Sequence, residues 1–289
     1  MAIESVGVVA NADKPNTRDI IRRILLSGER LGFSVVIEAE VADALGCRSL
    51  GVASEELSKR AELIVACGGD GTILRAARIT MGAPRPILGV NLGRLGFLAE
   101  ASPEKLEQAL EEINRGDFVT EPRMTLTATV VGTGETVHAL NDITIAKSNQ
   151  SRIISLEMRE AGNWVNTYIG DGLILATPTG STGYALAAGG PIVKPLAELI
   201  VAAPICPHSL TVRPIVFPDE AVLDIRVAGA AESVILLTAD GQPTVPLPSG
   251  EEVRVRRGAK DVQLVRLASS SYYDTLRQKL HWGLDKNLR

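Results

Sequence analysis

Aromatic residues are scarce. Phe, Trp and Tyr supply 3% of the 289 residues, whereas apolar residues reach 45%. Val, Ile, Leu and Ala must therefore fill the core, which suits buried parallel strands. Cysteine is scarce too. Cys47, Cys67 and Cys206 are odd in number and widely spaced, and fit neither a disulfide framework nor a zinc site. The net charge is −4 with both signs interspersed, so no basic stripe argues for nucleic acid or a membrane surface. No apolar run is long enough to span a bilayer. The N-terminus lacks the basic and apolar regions of a signal peptide. These absences predict a soluble, reduced, cytoplasmic protein. Two common nucleotide-binding signatures are also missing: neither G-x-x-x-x-G-K-[ST] nor G-x-G-x-x-G occurs.

What is present changes character along the chain. The first 120 residues alternate between short apolar runs and helical periodicity. Strands are expected at Ser5–Ala10, 35–39, 63–67 and 87–90, and helices at Thr17–Leu31, Ser54–Arg60 and 72–80. A further helix follows Ser102, with Pro103 at its first position and Gly116 just past its end. This order predicts a parallel sheet with helices on its faces. After Arg123 the pattern turns to short Thr/Val-rich runs at 124–131, 137–147, 152–160, 164–169, 221–227, 233–238, 252–256 and Val262–Leu267. Their turn-rich spacing predicts a mostly antiparallel β domain. Coils rich in proline are expected at 206–218 and 243–250, and a last helix at 271–281. The predicted fold class is α/β plus β, divided into 1–122 joined by 271–289, and 123–270. The last helix packs back on the first domain.

Three segments carry chemistry. In LIVACGGDGTILR a strand ends in Gly68, Gly69, Asp70, Gly71 and Thr72, and a helix begins. Glycine lets a backbone approach phosphate, and the helix start offers free N–H groups. A carboxylate among them repels phosphate. Asp70 makes sense if it points at an accepting hydroxyl or at a magnesium ion, as a group that accepts a proton in phosphoryl transfer. A tight turn with Asp as cap is the competing reading. The second segment is GDGLILATPTGSTGYALAAGGPI at 170–192. Thr177, Thr179, Ser181 and Thr182 bring hydroxyls, and Gly180 and Gly183 give access to a phosphate or ribose. A plain helix cap competes here. The third is Asn141-Asp142, whose amide and carboxylate can read an adenine edge or a ribose diol, or simply make a turn. His138, His208 and His281 stand in no metal-ligand or triad spacing.

The Gly-Gly-Asp-Gly-Thr run resembles the signature shared by NAD kinases, diacylglycerol and sphingosine kinases, and 6-phosphofructokinases. With Asn141-Asp142, Thr177 to Tyr184 and Gly189-Gly190-Pro191, the chain resembles the NAD kinase family from about residue 5 to residue 275. NLGRLGFLAE at 91–100 and TADGQ at 238–242 resemble family segments as well. The resemblance implies phosphoryl transfer from ATP or polyphosphate, with Mg2+, to the 2′-hydroxyl of the adenosine ribose of NAD, giving NADP. It makes Asp70 the proton acceptor, with Gly71 beside it on NAD and Arg75 facing the dinucleotide. Gly68 and Gly69 would serve the donor phosphates. Asn141 and Asp142 would hold the adenosine end, and Arg152 and Asp171 would reach the dinucleotide, Asp171 through a neighbouring subunit's ligand. Thr182, Gly183, Tyr184, Ala185, Leu186 and Ala187 would line the pocket, with Gln242 closing it. A homodimer or homotetramer is implied. The chain departs from the family where Asp142 replaces the commoner Glu, and where Gly183 and Ala187 replace Ala and Ser. A dinucleotide sensor without catalysis and a lipid or sugar kinase stay open at this point. The first is disfavoured by the intact Asp70, the second by Asn141-Asp142 and the absence of a membrane-facing apolar segment.

Overall fold

The computed structural model describes residues 3–93, 96–148, 153–229, 234–267 and 271–282. The chain divides into two compact units, Met1–Pro122 with Val262–Arg289, and Arg123–Asp261.

The first unit is built on a seven-stranded sheet. Its spatial order is Gly51–Val52, Ser34–Glu38, Ser5–Ala10, Leu63–Gly68, Ile87–Asn91, Val262–Leu267 and Phe118–Arg123. Each pair from Gly51–Val52 to Val262–Leu267 is parallel. The central strands are continuously apolar because helices cover both faces. Val8, Val65, Cys67, Leu88 and Val90 pack with Ile20, Ile24 and Leu110 in one buried cluster. From Ser5–Ala10 the chain builds outward in one direction, and from Leu63–Gly68 in the other. The two carboxyl ends adjoin, with Ala10 paired to Cys67. In open parallel sheets such a reversal point is where ligands bind.

Helix Thr17–Leu31 closes on Gly32 in the left-handed region, at φ 86°. The strand expected at 35–39 stops at Glu38, where helix Ala39–Leu45 begins. After Ser102, Pro103–Lys105 form a 3-10 turn that runs into helix Leu106–Arg115, and Gly116 ends it at φ 82°. The last helix, Tyr272–Leu280, belongs to this unit. So does Val262–Leu267, which the domain division at 123–270 assigns to the β domain. Leu264 pairs in parallel with Ile87 instead. Its alternation has the period of any half-buried strand and does not say which sheet it joins.

The second unit has two six-stranded sheets, and its strand pairs are antiparallel. One runs Asn163–Gly170, Ile154–Glu160, Leu223–Gly229, Glu252–Arg257, Leu126–Val130, Thr136–Ala139. The other runs Ile215–Pro218, Leu199–Ile205, Gly172–Ala176, Asp142–Lys147, Ile235–Ala239, Gln242–Leu247. Leu156, Ile225 and Val255 of the first sheet and Ile143, Leu173 and Leu237 of the second share one core cluster, so the sheets face each other. The coils expected at 206–218 and 243–250 hold strands Ile215–Pro218 and Gln242–Leu247. Both are edge strands of their sheet, where proline is tolerated because one side needs no N–H donor. The run expected at 137–147 is divided between the sheets. Thr136–Ala139 lies in the first and Asp142–Lys147 in the second, and Leu140-Asn141 makes the crossing.

Candidate active site

The glycine turn closes the strand Leu63–Gly68, whose six residues are all buried. Gly69 is extended, and the helix Asp70–Thr80 starts with Asp70 itself, two residues earlier than the periodicity suggests. Gly68 is fixed by sterics, since an added Cβ would collide with Thr72 Oγ1. Gly69 and Gly71 are different. Among the described residues a Cβ on either would meet nothing within 4 Å, so both flank Asp70 with room on their Cα. Among the described residues, the Asp70 carboxylate accepts from the Phe97 N–H at 3.0 Å and the Leu98 N–H at 3.2 Å. Gly96 lies directly against it, where a Cβ would collide with Asp70 Oδ1. The segment 96–98 therefore fixes the carboxylate's orientation. It is tied down further on by Glu100, which pairs with Arg266 at 2.5 Å and accepts from Leu267 N–H at 2.8 Å. Cys67 beneath the turn is fully buried, and burial pushes its thiol up to about 12. It is a packing residue, inert as a nucleophile.

Arg75, one helical turn beyond Asp70, is anchored on neighbouring strands. Its Nη2 donates to Ala10 O at 2.6 Å and pairs with Glu38 Oε2 at 2.9 Å. Glu38 in turn accepts from Ser54 Oγ at 3.0 Å. The guanidinium thus ties the Asp70 helix to the carboxyl ends of two neighbouring strands.

In the β unit, the first part of the 177–191 block folds onto Asn141-Asp142. Thr177 donates through its hydroxyl to Leu140 O at 2.6 Å and through its N–H to Asn141 O at 2.8 Å. Gly180 is pressed on Asn141, and any Cβ there would collide with Asn141 O. From Gly183 a Cβ would lie 3.5 Å from Asn141 Nδ2 and 3.9 Å from Asp142 Oδ2. Asn141, Asp142 and Gly183 thus converge. Among the described residues, Asn141 Oδ1 and Thr179 Oγ1 are buried without a hydrogen-bond partner, an expensive state for polar atoms. Asp142 is 6% exposed. Burial and the nearby Asp240 charge raise its carboxyl to about 6, against a hydrogen bond from Thr144 that lowers it.

The remaining expected residues are spread out. Thr182 is half-buried and donates to Thr179 O at 3.2 Å. Tyr184 and Ala187 are exposed and Leu186 is half-buried on the short helix Tyr184–Ala187. Ala185 lies in an apolar cluster with Ile174, Ala176 and Val201, which anchors the helix. Asp171 pairs with Lys147 at 2.7 Å. It sits at the far end of the strand pair in which Asp142 faces Ala176 and Ala146 faces Gly172, roughly 15 Å along the strand from Asp142. Gln242 is exposed at the start of its edge strand. Arg152 lies outside the described residues.

Two participants carry no role in the sequence reading. The Gly96–Leu98 backbone meets Asp70 from 26 residues or more away in sequence. Asp240 accepts from the N–H groups of Leu140, Asn141 and Asp142. Its Asp-Gly pair is a legible hairpin signal, but nothing local says what the carboxylate holds.

A family model described as the ATP-NAD kinase N-terminal domain matches residues 6–118, and one described as the ATP-NAD kinase C-terminal domain matches residues 140–267. The NAD kinase of Moorella thermoacetica is 42% identical over 284 residues, covering 97% of this chain and 90% of the relative. That of Geobacter sulfurreducens is 41% identical, covering 97% and 99%. Among solved structures, yeast NADH kinase complexed with NADH superposes with a TM-score of 0.91 at 25% identity, covering 100% of this chain and 91% of that one. An NAD kinase from Archaeoglobus fulgidus in complex with ATP gives 0.77 at 28% identity, covering 96% and 98%. The glycine turn around Asp70 and the Asn141 cradle lie inside the two matched domains, and at this identity over nearly its whole length the chain belongs to the NAD kinase family.

Proposed function

We propose that Asp70 is the proton acceptor in this kinase's transfer of a phosphoryl group to NAD. The 2′-hydroxyl of the adenosine ribose attacks the terminal phosphorus of ATP or polyphosphate. Its proton passes to Asp70, the bond from phosphorus to the leaving phosphate oxygen breaks, and NADP forms. The observation that carries this reading is the placement of Asp70. Its carboxylate stands at the reversal point of the parallel sheet, oriented by two backbone donors and flanked by glycines that leave space for a substrate. Gly68 and Gly69 serve the donor phosphates, and Gly71 contacts NAD. Arg75, held by Ala10 and Glu38, positions the helix that Asp70 begins.

Asn141 and Asp142 hold the adenosine end. The unpartnered Asn141 Oδ1 and Thr179 Oγ1 support this, because a ligand's donors would satisfy them. Thr182, Gly183, Tyr184, Leu186 and Ala187 border the same ligand, with Gln242 closing over it. Arg152 reaches the dinucleotide, and Asp171 serves the ligand of a neighbouring subunit. Exposed Trp164 and Ile169 on the edge strand Asn163–Gly170 support a homodimer or homotetramer. Mg2+ would enter with the donor, on its phosphates. Three free cysteines support a reducing, cytoplasmic setting, and among the described residues no helix is long and apolar enough to cross a membrane.

A coupled assay for NADP, run with ATP and polyphosphate as donors and NAD and NADH as acceptors, tests the reading. NADP should form from NAD, and Asp70→Asn should lower the rate by about 10²–10⁴-fold. Wild-type turnover in Asp70→Asn would remove the base assignment.

A further inference from the structure

The pair Asn141-Asp142 sits where the chain crosses between two sheets, with Asp142 opening the strand that faces Ala176. Its backbone is held from two sides. Thr177, itself fully buried, takes the carbonyls: its hydroxyl donates to Leu140 O and its N–H to Asn141 O. The N–H groups are taken by a residue about a hundred positions away. Asp240 Oδ2 accepts from Leu140 at 3.0 Å, and Oδ1 accepts from Asn141 at 2.7 Å and from Asp142 at 3.2 Å. Asp240 also donates its own N–H to Asp142 O at 2.9 Å.

This arrangement has a backbone cost. Asp240 is non-glycine at φ 52°, followed by Gly241 at φ 73°. Two left-handed residues in succession make the tight hairpin that joins Ile235–Ala239 to Gln242–Leu247. The hairpin requires such a turn. It does not require a carboxylate accepting three N–H groups from another strand.

We infer that Asp240 is a positioning residue for the acceptor substrate, acting through the backbone of Asn141 and Asp142. The inference rests on the reading that those two residues hold the adenosine end of NAD. Charge-assisted bonds to three successive N–H groups fix where the Asn141 amide and Asp142 carboxylate point. The same charge acts on Asp142 directly. From the hairpin Asp240 faces it. Among the described residues, the strand Gly172–Ala176 and its following loop bring Ala176 and Gly183 toward it, and its own strand and neighbour bring Thr144 and the Asn141 amide. Asp240 is therefore the charged group that opposes ionisation of Asp142, in addition to burial.

The test compares Asp240→Asn, Asp240→Glu and Asn141→Ala by KM for NAD, KM for ATP, kcat, and the pH profile of kcat/KM for NAD. Asp240→Asn should raise KM for NAD about tenfold while kcat and KM for ATP stay within about twofold. The acid limb of kcat/KM for NAD should move to lower pH, because the Asp240 charge adds to burial in raising the Asp142 carboxyl to about 6. Asp240→Glu keeps the charge but misplaces it. It should raise KM for NAD with the limb unmoved, and it decides the matter if Asp240→Asn does not fold. Unchanged KM for NAD and an unmoved limb in the Asn variant, or unchanged KM in a folded Glu variant alone, would overturn the inference. Asn141→Ala separates the two layers. If it leaves KM for NAD unchanged, the adenosine assignment fails, whatever Asp240 does.

Discussion

Two carboxylates carry the proposed chemistry, and the two units treat them in opposite ways. Asp70 begins a helix between glycines that face open space, and backbone N–H groups of 96–98 donate to it. Asp142 is buried at the start of a strand, beside a second carboxylate, with its carboxyl raised to about 6. One environment presents a carboxylate and fixes its direction. The other encloses a carboxylate at a cost in stability that a substrate's hydroxyls can offset. The difference matches the two tasks, because a proton acceptor must reach a reacting hydroxyl, whereas a recognition group gains from a desolvated pocket.

Short of removing a carboxylate, the largest expected effect comes from disturbing the donors on Asp70. Gly96→Ala places a methyl group against Asp70 Oδ1. Steady-state kinetics should show kcat lowered about tenfold or more with NAD binding retained. An unaffected kcat would mean that the orientation set by 96–98 is irrelevant to the chemistry. In the β unit the comparable change is Gly180→Ala, which drives a Cβ into Asn141 O. Backbone faces backbone there, so the fold itself must give. Thermal unfolding should report a loss of about 1–3 kcal/mol, and KM for NAD should rise while kcat changes less.

The effect confined to one range of conditions is a pH dependence of stability. The folded-state carboxyl of Asp142 lies above its unfolded value, so between pH about 4 and about 6 the folded chain holds the extra proton. Stability from this group therefore falls as pH rises through that window. The penalty is absent below it and complete above it, on the order of 2–3 kcal/mol. Asp142→Asn should be more stable than the unaltered protein at pH 8 and indistinguishable from it at pH 4, by denaturant unfolding at both values. It should also bind NAD more weakly.

Much of the fold is legible in the sequence. The glycine turn, the 177–191 block and helix Thr17–Leu31 are local patterns, and local patterns survive in the fold. The misses share a cause, which is that partners distant in sequence leave no periodicity. Val262–Leu267 reads as a strand, but only pairing with Ile87 places it in the parallel sheet. The run 137–147 reads as one segment because both halves are apolar, and the crossing at Leu140-Asn141 is visible only when two sheets compete for them. Proline disguised the edge strands Ile215–Pro218 and Gln242–Leu247. At the candidate site, Asp70 in its glycine turn and the pair Asn141-Asp142 stand out by residue type and spacing. The anchoring of Arg75 on Ala10 O and Glu38 and the packing of Ala185 in an apolar cluster behind its helix leave no local signal, because their partners are distant in sequence.

The division of labour between the two carboxylates is tested most directly by a crossed measurement of kcat and NAD dissociation constant in Asp70→Asn and Asp142→Asn. Asp70→Asn should lose about 10²–10⁴-fold in kcat and keep its NAD affinity, and Asp142→Asn should lose affinity and keep most of its kcat. If both variants lose the same quantity, or if Asp70→Asn turns over like the unaltered enzyme, the two carboxylates do not have the separate roles assigned to them.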